Sequence, residues 1–293
     1  MIFELRPMDF KLMHMNFLSH YRKVKENYGP NLFLFLQLNL RETIEQTDSD
    51  CLTNDSTILD KNRYYINLFK LQDIMNKYLE SSIIVFGVFI IFTLVIYHNV
   101  IELDDNSSEG SFIYKFDTSV LDARSEFSSA MTTEFMNIFS DFGREYFWII
   151  VPILLFVFGG IDGRIVAIII LISFMLVIPL TTLVKDLVDR DRPIISYETS
   201  VNKLPVDESY PSGHASMVSA GAVAALLLFR KCPRQKLITI LLLIEAGLVC
   251  LSRLYLGVHY PTDIIGGILL GSGAALLVTS AHKLIERLVR FKF

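Results

Sequence analysis

The sequence predicts an all-α, polytopic membrane protein built as a six-helix bundle, and two observations support this. The chain of 293 residues is 52% hydrophobic with a mean hydropathy of +0.44, which is too apolar for an ordinary soluble domain. Its apolar residues are also gathered into runs that approach the roughly 20 residues needed to cross a bilayer. Because a helix satisfies its own backbone hydrogen bonds inside lipid, we expect these runs to be helical.

Six runs are candidate spans, although several are short of a full crossing. They are Ser81–Val100, Tyr146–Ile161, Arg164–Val184, Gly213–Phe229, Leu237–Leu251 and Asp263–Ala281. Lysine and arginine precede the first span, join the fourth to the fifth and follow the sixth. Since such residues are enriched in cytoplasmic segments, both termini are predicted to be cytoplasmic. The loops at the other ends of these spans then lie on the extracytoplasmic face.

The segments outside the spans carry weaker signals. Residues 1–80 are predicted to be a weakly structured cytoplasmic extension, and residues 81–293 the membrane domain. In the extension, the apolar run Asn31–Leu40 is too short to span and fits a strand or a partly buried helix, while Glu42–Asp60 is predicted to be a loop or linker. Between the first two spans, Val120–Phe142 has large apolar residues three to four apart, which predicts an interfacial amphipathic helix. A soluble helix packed on the bundle is an equal alternative.

Three polar clusters stand at the ends of the predicted spans, and the first contains Lys185 and Arg192. These residues are seven positions apart, or two helical turns. If the third span continues to Arg192 and ends at Pro193, both side chains share a face and can converge on one oxyanion. The alternative is ordinary charge at a membrane surface, with Lys185 paired to Asp189. Taken alone, the cluster favours that alternative.

The second cluster is Pro211-Ser212-Gly213-His214, at the predicted start of the fourth span. Ser212 is a suitable N-cap, and Gly213 allows an anion to approach the free amides of the first helical turn. His214 would then stand beside the anion and could donate a proton to a leaving oxygen. An equal alternative is an ordinary helix N-cap followed by a histidine without a functional role.

The third cluster contains Ser252 and Arg253, followed by His259 and Asp263. Asp263 falls in the first turn of the sixth span, from where it can bind one nitrogen of His259. The other nitrogen is then free to attack phosphorus. A metal site is the rival interpretation. It is disfavoured because the two histidines have no clear third ligand and the surrounding cations would repel a metal ion.

Taken in order, K-x6-R-P, P-S-G-H and S-R-x5-H-x3-D resemble the signature of the type 2 phosphatidic acid phosphatase and vanadium haloperoxidase superfamily. All eleven defining positions match, and the likeness to the integral-membrane branch covers roughly residues 82–282. The resemblance implies that His259 is a nucleophile forming a phosphohistidine, with Asp263 as its partner and His214 as the acid. It assigns the phosphate oxygens to Lys185, Arg192, Ser212, Gly213 and Arg253. It implies no metal and no other cofactor.

The expected function is that of a metal-independent membrane phosphatase acting on a lipid phosphomonoester or diphosphate, such as a phosphatidic acid-like lipid or a polyprenyl diphosphate. A lipid-linked phosphotransferase using the same site is the first alternative. A non-catalytic membrane protein that retains the motif is the second. The net charge of −4 gives no indication of a nucleic-acid partner, and the three cysteines have neither metal-binding nor disulfide spacing.

Two features inside the predicted spans are interpreted as structural. Glu245 lies in the middle of the fifth span, where an ionisable group is costly. We expect it to be protonated or hydrogen-bonded to a serine of a neighbouring helix. Small residues in the fourth span, and Gly267 and Gly271 in the sixth, predict close helix packing rather than a dimer interface.

Overall fold

The computed structural model describes residues 56–104, 112–124, 129–193 and 207–292, and these ranges are helical without a strand. They contain nine α-helices and one π-helical turn, Gly143–Phe147. The helices are α1 (Ser56–Asp104), α2 (Phe112–Ala123), α3 (Ala130–Phe142), α4 (Trp148–Phe158), α5 (Gly160–Val188), α6 (Gly213–Leu228), α7 (Pro233–Tyr255), α8 (Pro261–Ser280) and α9 (His282–Lys292). The chain divides into compact units Met1–Tyr64 and Tyr65–Phe293, and all of the candidate site residues belong to the second. The predicted segment Asn31–Leu40 lies outside the described residues.

Four of the described helices are long and apolar enough to cross a membrane. Their spanning segments are Asn76–Ile101, Gly160–Val188, Pro233–Tyr255 and Pro261–Ser280. The apolar helices α4 and α6 coincide with the predicted second and fourth spans but have only 11 and 16 residues. The protein is therefore an integral membrane protein with four clear spans among the described residues and two shorter apolar helices.

The first helix is longer than its predicted span. It begins at Ser56 rather than at Ser81 and so includes the last part of the predicted loop Glu42–Asp60. Neither glycine nor proline occurs between Ser56 and Ser81, so nothing interrupts the hydrogen-bond ladder that the apolar segment establishes.

The connection between α1 and α4 contains two helices where the sequence predicted one over Val120–Phe142. The second of them, α3, starts afresh because Ser129 caps it, with Oγ accepting a hydrogen bond from the backbone N–H of Thr132 at 3.2 Å. Both helices expose large apolar side chains, with Phe112 in α2 83% exposed and Met131 in α3 85% exposed.

Helix α6 packs closely on α8 because glycines of α8 leave no side chain between them. A Cβ on Gly271 would lie 2.1 Å from the carbonyl oxygen of Ser216, and one on Gly267 would lie 2.6 Å from that of Ser212. The small-residue surface is therefore a packing surface within the chain, as predicted. Its consequence is that the start of α6 and the start of α8 lie side by side.

The buried Glu245 joins two helices. Its Oε2 accepts a hydrogen bond from the indole Nε1 of Trp148 at 2.7 Å. Trp148 belongs to α4 and is fully buried, so this bond fixes α7 against α4. The expectation of a serine partner was wrong, because the indole, which can only donate, is the donor that faces Glu245.

Candidate active site

The three polar clusters meet at one end of the helix bundle. Arg192 of the first cluster reaches His259 of the third, with 3.2 Å between Nη1 and Nε2. The backbone N–H of Ser212, in the second cluster, donates to the carbonyl oxygen of Asp263 at 3.0 Å. Arg192 and Asp263, which are 71 positions apart in the chain, are therefore brought into one site.

Lys185 and Arg192 converge, but not by the predicted route. Helix α5 ends at Val188, because Asp189 adopts the left-handed conformation with φ of 50° and its N–H binds the Lys185 carbonyl oxygen. The two cations therefore do not share a helical face. Lys185 also forms its ion pair with Asp207 rather than with Asp189. The condition that the third span continues to Arg192 is therefore not met, although both cations bind the same carboxylate, that of Asp207.

Asp207 joins the two cations and was missed by the sequence analysis. Its Oδ2 lies 2.7 Å from Nζ of Lys185 and its Oδ1 lies 2.8 Å from Nη2 of Arg192. Burial raises the pKa of Asp207, but the hydrogen bond and charge of Lys185 and the charge of Arg192 outweigh it and lower the pKa to about 2. No motif distinguishes this aspartate from the neighbouring acidic residues Glu198 and Glu208.

His214 stands in the first turn of α6, as predicted. Ser212 is the N-cap of this helix, with its Oγ accepting from the N–H of Ala215 at 3.4 Å. Nδ1 of His214 lies 3.4 Å from Nη1 of Arg144, which comes from the π-helical turn before α4. Because a guanidinium only donates, Nδ1 accepts and the ring proton is on Nε2. Arg144 was not among the predicted site residues, because no residue pattern in the sequence indicates a π-helical turn.

His259 is almost completely buried, with 1% of its surface exposed. Burial lowers its pKa to about 3, so the imidazole is neutral near pH 7. The contact with Arg192 makes Nε2 the acceptor, which leaves the proton on Nδ1. Nδ1 lies 3.5 Å from Oδ2 of Asp263, which is longer than a normal hydrogen bond. The nucleophilic lone pair is therefore beside the basic residues, and the ring proton is beside the carboxylate.

Asp263 is held by several donors besides its proximity to His259. Its Oδ1 accepts from Nη1 of Arg190 at 2.7 Å. Its Oδ2 accepts from the N–H of Tyr260 at 2.7 Å and from the hydroxyl of Ser209. Arg190 was not singled out from the sequence, although it lies inside the first cluster. The carboxylate orientation is thus fixed by the surrounding protein.

Arg253 is a buried cation with one unsatisfied donor. Its side chain donates from Nη1 to the hydroxyl of Ser140, and the residue is only 8% exposed. Its Nε has no hydrogen-bond partner among the described residues. A buried unpaired N–H is costly, so such a group is typical of a site that binds an anion.

The electrostatics of the site suit a polyanion. Arg253 and Arg144 act on His214 through their charges, and Arg192 and Arg253 act on His259. Lys185 shares Asp207 with Arg192, so the site contains four cationic groups. The same charges oppose a bound metal cation. The arrangement can bind phosphate oxygens, attack phosphorus from His259 and deliver a proton from His214.

Comparison with known proteins agrees with the motifs. Residues 164–287, which contain all three clusters, match the family model described as PAP2 superfamily. The chain is also 40% identical over 162 residues to the undecaprenyl-diphosphatase of Sulfolobus acidocaldarius, covering 53% of this chain and 75% of that protein. The chain belongs to the PAP2 superfamily. The resemblance inferred from the three motifs is therefore confirmed.

Two further matches, one by sequence and one by structure, extend this comparison. Phosphatidylglycerophosphatase B of Bacillus subtilis is 33% identical over 116 residues, which cover 37% of this chain and about half, 54%, of that protein. The crystal structure of a transmembrane PAP2-type phosphatidylglycerolphosphate phosphatase from B. subtilis aligns with a TM-score of 0.54 at 23% identity. That alignment covers 69% of this chain and 96% of the other. It shows that the two proteins share a fold.

Proposed function

We propose that this PAP2 protein is a metal-independent membrane phosphatase that hydrolyses a lipid phosphomonoester or diphosphate through a phosphohistidine on His259. The observation that carries the proposal is the setting of His259. Its ring is neutral, its Nε2 faces Arg192 and its Nδ1 faces Asp263. This is the arrangement that a nucleophilic imidazole needs. The names of the related PAP2 proteins, which are phosphatases of lipid phosphates, support the substrate class.

The reaction proceeds in two steps. Nε2 of His259 attacks phosphorus, a P–N bond forms and the P–O bond to the leaving group breaks. His214, protonated to the imidazolium in the complex with the anionic substrate, gives its Nε2 proton to the departing oxygen and becomes a neutral imidazole. In the second step His214 takes a proton from water, whose oxygen attacks phosphorus and releases His259. Asp263 stabilises the positive charge that the imidazole gains while the P–N bond exists.

The phosphate oxygens bind to the cations and to the start of α6. Lys185, Arg192 and Arg253 neutralise the added negative charge of the transition state, so the proposed reaction requires no metal ion. The amide of Gly213 and the positive end of α6 add further donors. Ser212 contributes through its hydroxyl, because its backbone N–H already donates to the carbonyl oxygen of Asp263. Since Lys185 and Arg192 already hold Asp207, the phosphate must displace that carboxylate to reach them.

A diphosphate is favoured over a monoester by the position of Arg144. This cation lies beside His214, the residue that meets the leaving oxygen. The leaving group of a lipid diphosphate is itself an anionic phosphate, whereas that of a phosphomonoester is an alcohol. A cation next to His214 stabilises a departing phosphate anion, and it stabilises a departing alcohol much less.

The membrane placement is part of the same proposal. We assign α4 and α6 as the two short spans of a six-span bundle, with both termini in the cytoplasm and the site on the extracytoplasmic face. The exposed apolar side chains of α2 and α3 support a position in the membrane interface. In a variant without Cys51 and Cys250, an impermeant thiol reagent should label a cysteine added within residues 194–206 from outside. The exposed Cys232, between α6 and α7, is then the internal control that only cytoplasmic reagent reaches.

The decisive experiment measures phosphate release from purified protein with EDTA present. The substrates are phosphatidic acid, phosphatidylglycerol phosphate and a polyprenyl diphosphate, each in mixed micelles. We expect activity that survives EDTA, is greatest on the diphosphate, and is lost in both His259→Ala and His214→Ala. Full activity in His259→Ala rejects the nucleophile. Phosphate appearing on an added lipid acceptor instead of in solution identifies the phosphotransferase, and no turnover of any substrate supports a non-catalytic protein.

A further inference from the structure

A buried row of charged side chains leads from α2 to the nucleophile. Nη2 of Arg190 lies 2.7 Å from Oδ2 of Asp117, and Nη1 of Arg190 lies 2.7 Å from Oδ1 of Asp263. Asp263 in turn lies beside His259. Asp117 and Asp263 are fully buried, and Arg190 is 4% exposed.

The row is completed by polar groups from the start of α8. The N–H of Thr262 donates to Oδ1 of Asp117 at 3.1 Å, and its hydroxyl donates to Oδ2 at 2.6 Å. The guanidinium of Arg190 also lies over the ring of Tyr260, 4.1 Å from its centre. Buried ion pairs contribute only when their remaining donors and acceptors are satisfied. No fully buried side-chain donor or acceptor of Asp117, Arg190 or Asp263 lacks a partner among the described residues. Asp117 is therefore part of an ordered network rather than an isolated buried charge.

The electrostatic effect of this network on His259 depends on its net charge. Burial lowers the pKa of Arg190, but the charges of Asp263 and Asp117 outweigh it and raise that pKa above its ordinary value, so Arg190 is charged. With Arg190 alone, the negative charge of Asp263 would be largely neutralised. Burial raises the pKa of Asp117, but both of its oxygens accept hydrogen bonds, from Arg190 and Thr262, as those of a carboxylate do. With this carboxylate bound to the other side of the guanidinium, the three groups together carry one negative charge. That charge faces the imidazole as it becomes positive during attack.

We propose that Asp117 and Arg190 are positioning residues for the reaction, which hold Asp263 beside Nδ1 of His259 and preserve its negative charge. The inference rests on the proposed function, because it requires His259 to be the nucleophile. It adds a residue from α2, which lies outside residues 164–287 that match the family model. The site is thus incomplete without the helix that connects the first span to α3.

The test compares Asp117→Asn with Asp122→Asn. The second variant removes the same charge from an exposed position of the same helix. For Asp117→Asn we expect kcat to fall at least tenfold, with KM and the inhibition constant of inorganic phosphate changed less than threefold. For Asp122→Asn we expect all three constants within twofold of the parent. A kcat within twofold of the parent in Asp117→Asn overturns the inference, as does a loss in which phosphate inhibition weakens in parallel.

A second variant keeps the test decisive if Asp117→Asn does not fold. Arg190→Lys retains the positive charge but replaces a guanidinium that binds two carboxylates by a single ammonium. It should lower kcat at least tenfold without changing phosphate inhibition, and an unchanged kcat overturns the inference. The proposed function is judged separately by His259→Ala. If that variant is inactive while Asp117→Asn and Arg190→Lys keep full kcat, only the role of the network is wrong.

Discussion

Arg192 donates a hydrogen bond to Nε2 of His259 across 3.2 Å, and this contact decides how the imidazole is used. Because the guanidinium has no acceptor, the ring must present a lone pair on Nε2 and carry its proton on Nδ1. The same arginine is a candidate ligand of the phosphate. One residue therefore selects the tautomer of the nucleophile and stands where the phosphate is to be attacked.

The buried, neutral state of His259 predicts a pH-dependent stability. Its pKa is lowered from 6.5 to about 3 in the folded protein, so between these values the unfolded chain binds a proton that the folded chain does not. The histidine therefore lowers the free energy of unfolding as pH falls from 6.5 towards 3, by about 1.4 kcal/mol per pH unit. In His259→Gln this contribution should disappear. Thermal unfolding in detergent between pH 7 and 4.5 should show a flatter profile for the variant, and parallel profiles would contradict the prediction.

Asp207 is predicted to compete with the phosphate for Lys185 and Arg192. Removing its charge in Asp207→Asn should lower KM and tighten inhibition by inorganic phosphate about three- to tenfold, because the two cations no longer hold a carboxylate. The matched control is Glu208→Gln, since the contacts of Glu208 to these cations use its backbone carbonyl oxygen. We expect no change in that variant. A weaker inhibition by phosphate in Asp207→Asn would instead make Asp207 an organiser of the cations.

Arg144 is predicted to set the preference between diphosphate and monoester. In Arg144→Gln, kcat/KM for a polyprenyl diphosphate should fall about tenfold or more, while that for phosphatidic acid should change less. The reason is that only a diphosphate substrate has an anionic phosphate as its leaving group beside His214. Arg230→Gln, at an exposed position in the loop between α6 and α7, is the control. Equal losses on both substrates would show that Arg144 serves the common chemistry instead of the leaving group.

The close contact of α6 and α8 predicts which glycines are irreplaceable. Gly271→Ala would place its Cβ 2.1 Å from a backbone oxygen of α6, and such overpacking costs about 1–3 kcal/mol or more. Gly247 in α7 has no atom within 4 Å of the same position. Gly247→Ala should therefore leave the unfolding temperature unchanged or raise it slightly, since alanine favours the helix. A comparable loss in both variants would mean that helix contact is not the cause.

Much of the site was predictable because its residues lie in three short motifs whose local structure follows from sequence. The cap at Ser212, the start of α8 at Pro261 and the pairing of His259 with Asp263 all depend on neighbours within a few positions. Residues that reach the site from elsewhere in the chain gave no such signal. The position of Arg144 depends on a π-helical turn, and the contact of Asp117 with the site depends on how α2 packs on α8.

The sequence by itself determined the all-helical membrane fold, the family and the eleven motif residues, because hydropathy and helix-end chemistry are local properties of the chain. Only the tertiary structure decided how Lys185 and Arg192 come together. The left-handed residue Asp189 ends α5 before Arg192, and Asp207 binds both cations instead. It also decided that Asp263 is bound by Arg190 as well as placed beside His259. Contacts between distant segments depend on the packing of whole helices, and no spacing within one segment encodes them.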